Sequence, residues 1–316
     1  MRSRGPVVRT AFAGIIAISA CGLTSNQTTT LTSFGKSLSS FGQTIAAVAP
    51  SAQNAINRMR ADGLSFSTAS SRKEFDRASS CLAEYVHNPK ASAHVALIVK
   101  LASALDAYGK ALNDLASYGN SDQRLKTFAD IADNVDGAFN DPITESYATA
   151  AGHGAGFVTN QVLEAIKKRE VAAIVVAYQP AINAAGELFM AEFKGETEGT
   201  LFFAYRAELN AFHNRMPTVD HHEPTPPADS GVPWDGPVGL TEAAGRRQIV
   251  VAQMEYAQLK AAFDTLQKQG IASTSALLKA YAQLVTALNA KLPSVDAIED
   301  FAKAAASLYS DFNTTK

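Results

Sequence analysis

The sequence predicts an all-α protein, an elongated antiparallel bundle of about ten helices with coiled-coil-like packing. Alanine, the best helix-forming residue, occurs 57 times among the 316 residues. From residue 31 the apolar positions recur in steps of three and four, which is the spacing of one buried helix face. No segment sustains the alternation of β-branched or aromatic with polar residues that half-buried strands show. Together these observations favour packed helices over any sheet.

The first helix follows the longest apolar stripe of the chain, in which nine residues recur with heptad spacing. They are Leu31, Phe34, Leu38, Phe41, Ile45, Val48, Ala52, Ile56 and Met59. Pro50 interrupts the stripe without shifting its phase, so we expect a kink there or a joint between two collinear helices. The same periodicity predicts the other helices. The predicted ranges are 31–61, 71–87, 88–118, 122–139, 141–151, 155–194, 197–214, 241–269, 273–291 and 293–313.

Capping patterns support several of these helix starts. Ser71 is followed three residues later by Glu74, which matches a capping box. Asn88-Pro89 and Asp141-Pro142 each place a capping side chain just before a proline, and proline is favoured at the first position of a helix.

Segment 171–191 is apolar on nearly every side and has two interpretations. The favoured one is a central buried helix kinked at Pro180, because Gln179, Asn183 and Glu187 interrupt the apolar surface and other helices can cover it. The alternative is a concealed membrane-inserting helix, as in helical pore-forming proteins.

The first twenty residues have the composition of a secretory signal peptide. Residues 1–9 carry three arginines and no acid, and residues 10–20 are apolar or small. This apolar run is too short to span a bilayer as a mature helix. It ends in Ile18-Ser19-Ala20-Cys21, which resembles the lipobox of bacterial lipoproteins: an aliphatic residue, two small residues and a cysteine. The resemblance covers residues 1–21 and extends no further along the chain.

The resemblance implies that the chain is cleaved after Ala20 and that Cys21 is acylated on its thiol and on its new amino group. Several acyl chains hold a protein on a membrane durably. Gly22 stands where aspartate commonly marks retention at the inner membrane, so in an organism with two membranes the resemblance favours the outer membrane, facing the periplasm. Residues 21–30 are predicted to form a polar tether, and 31–316 a single helical domain.

The composition changes at 216–240, where a proline-rich loop is predicted. Six of the twelve prolines and the only tryptophan, Trp234, fall in this range. Such a segment is either a mobile linker or an ordered functional loop, and Trp234 makes it a candidate binding loop. Metal-capable side chains are also concentrated there, at Asp220, His221, His222 and Glu223. Because neighbouring residues of an extended segment point to alternate sides, we interpret this cluster as a solvated tip, with a surface metal contact as the alternative.

Charge and cysteine content exclude several classes of protein. The net charge of −2 argues against a nucleic-acid partner, which would require a basic excess. Two cysteines exclude a disulfide-rich scaffold and any four-cysteine metal site. Cys81 is left unpaired once Cys21 carries lipid, and we expect it to be buried, with a nucleophile or an intermolecular disulfide as alternatives.

The sequence therefore predicts a lipid-anchored cell-envelope protein with a scaffold or binding domain, without a cofactor or an assigned catalytic residue. Its expected partners are the membrane, through Cys21, and an envelope protein. The alternative is a small-ligand-binding or hydrolytic envelope protein with a site near 216–240. A third possibility is a membrane-inserting helical protein that uses 171–191. A pocket of convergent polar groups beneath Trp234 would favour the second class.

Overall fold

The described part of the chain folds into long α-helices that pack side by side. The computed structural model describes residues 23–65, 89–118, 122–139, 171–215, 242–289 and 295–314. All regular structure within these ranges is helical, in seven helices, which confirms the all-α prediction for this part of the chain. The helices are α1 (Ser25–Ser65), α2 (Pro89–Tyr118), α3 (Asp122–Phe139), α4 (Val171–Lys194), α5 (Leu201–Arg215), α6 (Glu242–Asn289) and α7 (Asp296–Thr314).

The described helices number seven rather than about ten for two reasons. The predicted helices 71–87 and 141–151 lie outside the described residues. The predicted helices 241–269 and 273–291 are one continuous helix, α6, so the break between them is wrong. Gly270, beside that break, is buried against the ring of Phe193, and its carbonyl accepts a 2.7 Å hydrogen bond from Thr274 Oγ1. Packing against α4 therefore outweighs the low helix propensity of glycine.

Helix α1 begins at Ser25, inside the segment 21–30, so the prediction of a polar tether is wrong from that residue onward. The cause is a capping box: Gln27 N donates to Thr24 Oγ1 at 3.2 Å, and Thr24 N donates to Gln27 Oε1 at 3.0 Å. Gln27 Nε2 also donates to the Leu288 carbonyl at 3.0 Å, which attaches the start of α1 to the end of α6. Further along, α1 continues through Pro50 as one helix.

The nine-residue stripe of α1 lies at the centre of the core. Each of its residues is at most 3% exposed, which confirms the buried face that the spacing predicts. Helix α2 runs antiparallel to α1, since Gly35 lies beside Gly109 and Gly42 beside Ala102. A Cβ atom on Gly42 would lie 2.5 Å from the Ala102 carbonyl oxygen, which no real side chain tolerates. Glycine at this position therefore allows the two backbones to touch.

Helix α4 packs antiparallel to α6. The Tyr281 hydroxyl donates to the Val175 carbonyl at 2.7 Å near one end, and Gln267 Nε2 donates to the Lys194 carbonyl at 2.9 Å at the other. Twelve residues of α4 are buried, and Pro180 lies inside the helix. In the part of the chain that the structure describes, α4 alone is long and apolar enough to cross a membrane, and half of that apolar window is buried inside the bundle. These contacts are those of a core helix.

The two longest helices define the ends of the bundle. Helix α1 has 41 residues and α6 has 48, which correspond to lengths of about 60 and about 72 Å. The end where α1 begins is called here the Ser25 end. Helices α2 and α7 pack against α1, α4 and α7 pack against α6, and α3 packs against α2. At the far end α5 packs against α1 and α6, through the 2.8 Å ion pair of Arg60 Nε with Glu208 Oε1 and through the Tyr205 hydroxyl, which donates to the Leu259 carbonyl at 3.3 Å.

Candidate functional site

The site residues predicted from the sequence lie outside the described residues. This holds for Cys21, Cys81, Trp234 and the cluster 220–223 of Asp220, His221, His222 and Glu223. Within the described ranges, no group of three or more histidine, cysteine, aspartate and glutamate side chains is arranged to hold a metal ion. Three other features of the bundle have functional potential: a buried polar pair, a tyrosine cluster and an exposed apolar face.

The buried polar pair joins three helices. His94 of α2 and Glu192 of α4 are 6% and 4% exposed, and His94 Nε2 lies 2.6 Å from Glu192 Oε1. The second carboxylate oxygen, Oε2, accepts a 2.8 Å hydrogen bond from the backbone N–H of Leu201, at the start of α5. A carboxylate at a helix N-terminus satisfies a free amide and interacts favourably with the helix dipole. Glu192 therefore fixes α2, α4 and α5 relative to one another.

The turn between α4 and α5 brings Glu192 to this helix start. Gly195 ends α4 with φ at 58°, the left-handed conformation that favours glycine, and its N–H donates to the Ala191 carbonyl at 3.1 Å. Thr200 then caps α5, because its Oγ1 accepts a 3.3 Å hydrogen bond from Phe203 N. Thr200 and Glu192 thus satisfy two amides of the first turn.

A cavity of about 10 Å³ lies against Glu192, which is room for roughly one water molecule. The rest of its lining is apolar and includes Ile45 of α1, Ile98 of α2 and Phe202 of α5. Both carboxylate oxygens already have protein partners, so the pair is built to hold helices in register rather than to bind a substrate.

Sequence reasoning missed this pair, although a signal for it exists. His94 precedes Ile98 and Leu101 by four and seven residues, so it continues their apolar stripe. Glu192 follows Phe189 at the same kind of spacing. A polar residue in a buried stripe requires a hydrogen-bonding partner. Two such positions in different helices are therefore candidates to meet, but the spacing does not tell which helices adjoin.

The tyrosine cluster lies in the half of the bundle near the Ser25 end. Tyr108, Tyr178 and Tyr281 are at most 1% exposed, and the rings of Tyr108 and Tyr178 stack with centroids 4.3 Å apart. Tyr281 donates to the Val175 carbonyl and lies 2.8 Å from the Tyr108 hydroxyl, which therefore donates to Tyr281. Tyr178 donates to the Phe128 carbonyl. Burial raises the pKa of all three hydroxyls, which keeps them protonated as donors.

The exposed apolar face belongs to the far half of α6. Val250, Val251 and Met254 are 49%, 53% and 59% exposed, and the exposed Ala257 and Ala261 extend the same face. Single exposed apolar residues are common on proteins, but a contiguous row on one helix indicates a contact surface. It is the part of the described bundle best suited to bind another molecule.

Comparison with known proteins identifies no relative: no protein-family model, no curated protein and no solved structure matches the chain.

Proposed function

We propose that the protein is a lipid-anchored cell-envelope protein whose helical bundle serves as a scaffold or binding module. The observation that carries this proposal is the sequence Ile18-Ser19-Ala20-Cys21 after a charged and then apolar leader. Acyl groups on Cys21 would hold the chain on a membrane. In an organism with two membranes, the proposed location is the outer membrane, facing the periplasm.

The start of the bundle supports this arrangement. Helix α1 begins at Ser25, four residues after Cys21, and four extended residues span about 14 Å. A lipid on Cys21 would therefore keep the Ser25 end of the bundle close to the membrane surface. The helix that follows is about 60 Å long and is held along its length by other helices, so it can carry a rigid domain on the anchor.

The close packing of the described interior fits a scaffold or binding role. Two cavities in this interior, one beside Glu192 and one beside Tyr108, have about 10 Å³ each, whereas small-molecule sites commonly occupy about 300–1,000 Å³. The buried polar side chains bind one another or the backbone. The exposed face of α6 is then the surface through which the bundle would engage a partner.

Metabolic labelling with a clickable fatty acid tests the anchor in a bacterial host that processes lipoproteins. We expect the wild-type chain to take the label and to partition into detergent, and Cys21→Ser to lose both properties. Cys81→Ser is the matched control, because it removes the other cysteine and should keep the label. Labelling that persists in Cys21→Ser, or is absent from the wild type while host lipoproteins are labelled, contradicts the proposal.

A further inference from the structure

One face of the far half of α6 carries six exposed residues spaced alternately three and four apart. We call them the α6 stripe: Arg247, Val250, Met254, Ala257, Ala261 and Asp264. This spacing is that of the core positions of a two-stranded coiled coil. The opposite face of the same helix packs into the bundle, where Phe263 is 4% exposed and stacks on Tyr205 of α5. The stripe therefore faces away from α5.

We propose that a second copy of this chain covers the α6 stripe as an antiparallel coiled coil. A twofold axis between residues 255 and 256 brings Met254 of one copy opposite Ala257 of the other, and Val250 opposite Ala261. Each contact combines a large side chain with an alanine. Such pairs allow two helices to approach closely and still fill the space between them.

The charges at the two ends of the stripe fit the same register. Arg247 of each copy faces Asp264 of the other, so the apolar centre is closed at both ends by an ion pair. Parallel pairing would instead oppose Arg247 to Arg247 and Asp264 to Asp264. The charge pattern thus selects the antiparallel orientation. Asp264 already bonds Lys260 of its own helix at 2.6 Å, and Arg247 of the second copy would add a second cation to that carboxylate.

The shape of the described bundle admits this pairing. The stripe extends over about 26 Å of the far half of α6, whose opposite face packs against Tyr205 of α5 through Phe263. Antiparallel pairing sets the far halves of the two α6 helices side by side and leaves the two Ser25 ends at opposite ends of the dimer. All six residues of the stripe belong to α6, so the pairing does not depend on a lipid on Cys21.

Charge reversal tests the pairing in the full chain, kept in a mild detergent. Its mass is measured by light scattering, corrected for bound detergent, over roughly 1–100 μM. We expect the wild type to become dimeric across this range. Arg247→Asp and Asp264→Arg each set like charges opposite one another in a homodimer, so each should raise the dimer dissociation constant by about tenfold or more.

Two combinations identify the register. The double variant R247D/D264R restores opposite charges across the interface, and so does an equimolar mixture of the two single variants. Both should therefore dimerise like the wild type. Residues 247 and 264 are about 26 Å apart within one helix, so restoration requires a contact between copies. Lys279→Asp, an exposed charge reversal on α6 outside the stripe, is the matched control and should leave dimerisation unchanged.

The circular dichroism spectrum and Tm of each variant confirm that it is folded. A wild type that stays monomeric at about 100 μM overturns the proposal. The α6 stripe would then bind a different partner, such as a membrane surface. Single variants that dimerise as well as the wild type also overturn it, and so does a double variant that stays monomeric. Cys21→Ser should dimerise normally, which separates this inference from the proposed anchor.

Discussion

Single glycines determine how closely α1 and α2 approach. A Cβ atom on Gly35, Gly42 or Gly109 would meet backbone atoms of the opposite helix, which have no side-chain freedom to withdraw. A polar contact forms at the same place, where Ser39 Oγ donates to Asp106 Oδ1 at 2.5 Å. Burial of Asp106 opposes its ionisation, but hydrogen bonds from Lys110, Ser39 and Gln43 outweigh this effect and lower the pKa of the carboxyl. The close approach of α1 and α2 is therefore accompanied by hydrogen bonds to Asp106 that join the two helices.

We expect Gly42→Ala to destabilise the protein by about 1–3 kcal/mol, because the new methyl group must push two backbones apart. This is the net loss, after the gain of about 1 kcal/mol that alanine brings to a helix interior. Gly186→Ala is the matched control, since its Cβ would meet the end of the flexible Leu278 side chain, which can move. Urea unfolding measures both variants. Equal stability of Gly42→Ala and the wild type would contradict the backbone contact.

Tyr205 makes the fold less stable as the pH rises in the alkaline range. Burial raises the pKa of its hydroxyl to about 12, whereas the unfolded chain ionises at the ordinary value of 10.0. The contribution of the buried hydroxyl to the free energy of unfolding is therefore complete below pH 10, and it is lost as the pH rises towards 12. At pH 11 the loss is on the order of 1 kcal/mol.

Urea midpoints between pH 8 and pH 11 should therefore fall less steeply for Tyr205→Phe than for the wild type, because phenylalanine has no proton to lose. The matched control is Tyr309→Phe, at a ring that is 55% exposed, and it should follow the wild-type profile. Parallel profiles for Tyr205→Phe and the wild type would count against a buried hydroxyl.

At the scale of helices, buried polar groups specify which elements meet. Glu192 is the clearest example, because one carboxylate contacts α2 through His94 and α5 through the Leu201 amide. Apolar stripes of similar spacing can pack against one another in several registers, but a buried carboxylate finds both partners in one arrangement. The Tyr108–Tyr281–Val175 chain does the same for α2, α4 and α6.

We expect Glu192→Leu to lower the free energy of unfolding by about 3 kcal/mol, because it leaves two buried donors without an acceptor. Glu192→Gln keeps one acceptor oxygen and should lose less. Glu187→Leu, at an exposed position of the same helix, is the matched control and should stay within about 0.5 kcal/mol of the wild type. Chemical denaturation compares the three. A Glu192→Leu variant as stable as the wild type would show that packing alone fixes these helices.

At the scale of the whole molecule, α5 and α6 lie side by side at the far end. The rings of His213 and Tyr256 stack with centroids 4.8 Å apart, and Tyr205 bonds the Leu259 carbonyl. The end of α5 at Arg215 is therefore near the level of residue 254, about 18 Å along α6 from Glu242. A flexible linker of about twelve residues spans that distance.

Replacing 217–239 with a linker of about twelve glycine and serine residues should change Tm by no more than about 3 °C, because the cost of closing a loop depends only logarithmically on its length. A glycine-serine linker of the original length is the matched control, since it separates the effect of sequence from that of length. Calorimetry measures all three chains. A large drop in Tm with both linkers would place 217–239 in the core.

Much of the helical framework was predictable because its determinants are local. Helix α3 covers the predicted range 122–139, and α2 begins at Pro89, one residue from the predicted start. The start of α5 differs more: the predicted range begins at 197, but Thr200 caps a helix that starts at Leu201. The Thr24–Gln27 capping box is also local. Its Thr-x-x-Gln pattern is present in the sequence, but the prediction of a tether at 21–30 did not take it into account.

The sequence by itself determined that the described part of the chain is helical and that α1 has one apolar face, because propensity, capping and periodicity act between residues a few positions apart. Tertiary structure alone decided the continuity of α6 through Gly270, the meeting of His94 with Glu192 and the exposure of the α6 stripe. The stripe from Arg247 to Asp264 has the same periodicity as the buried stripe from Leu31 to Met59. Periodicity shows which residues share one face of a helix, whereas only the placement of the other helices determines whether that face is buried.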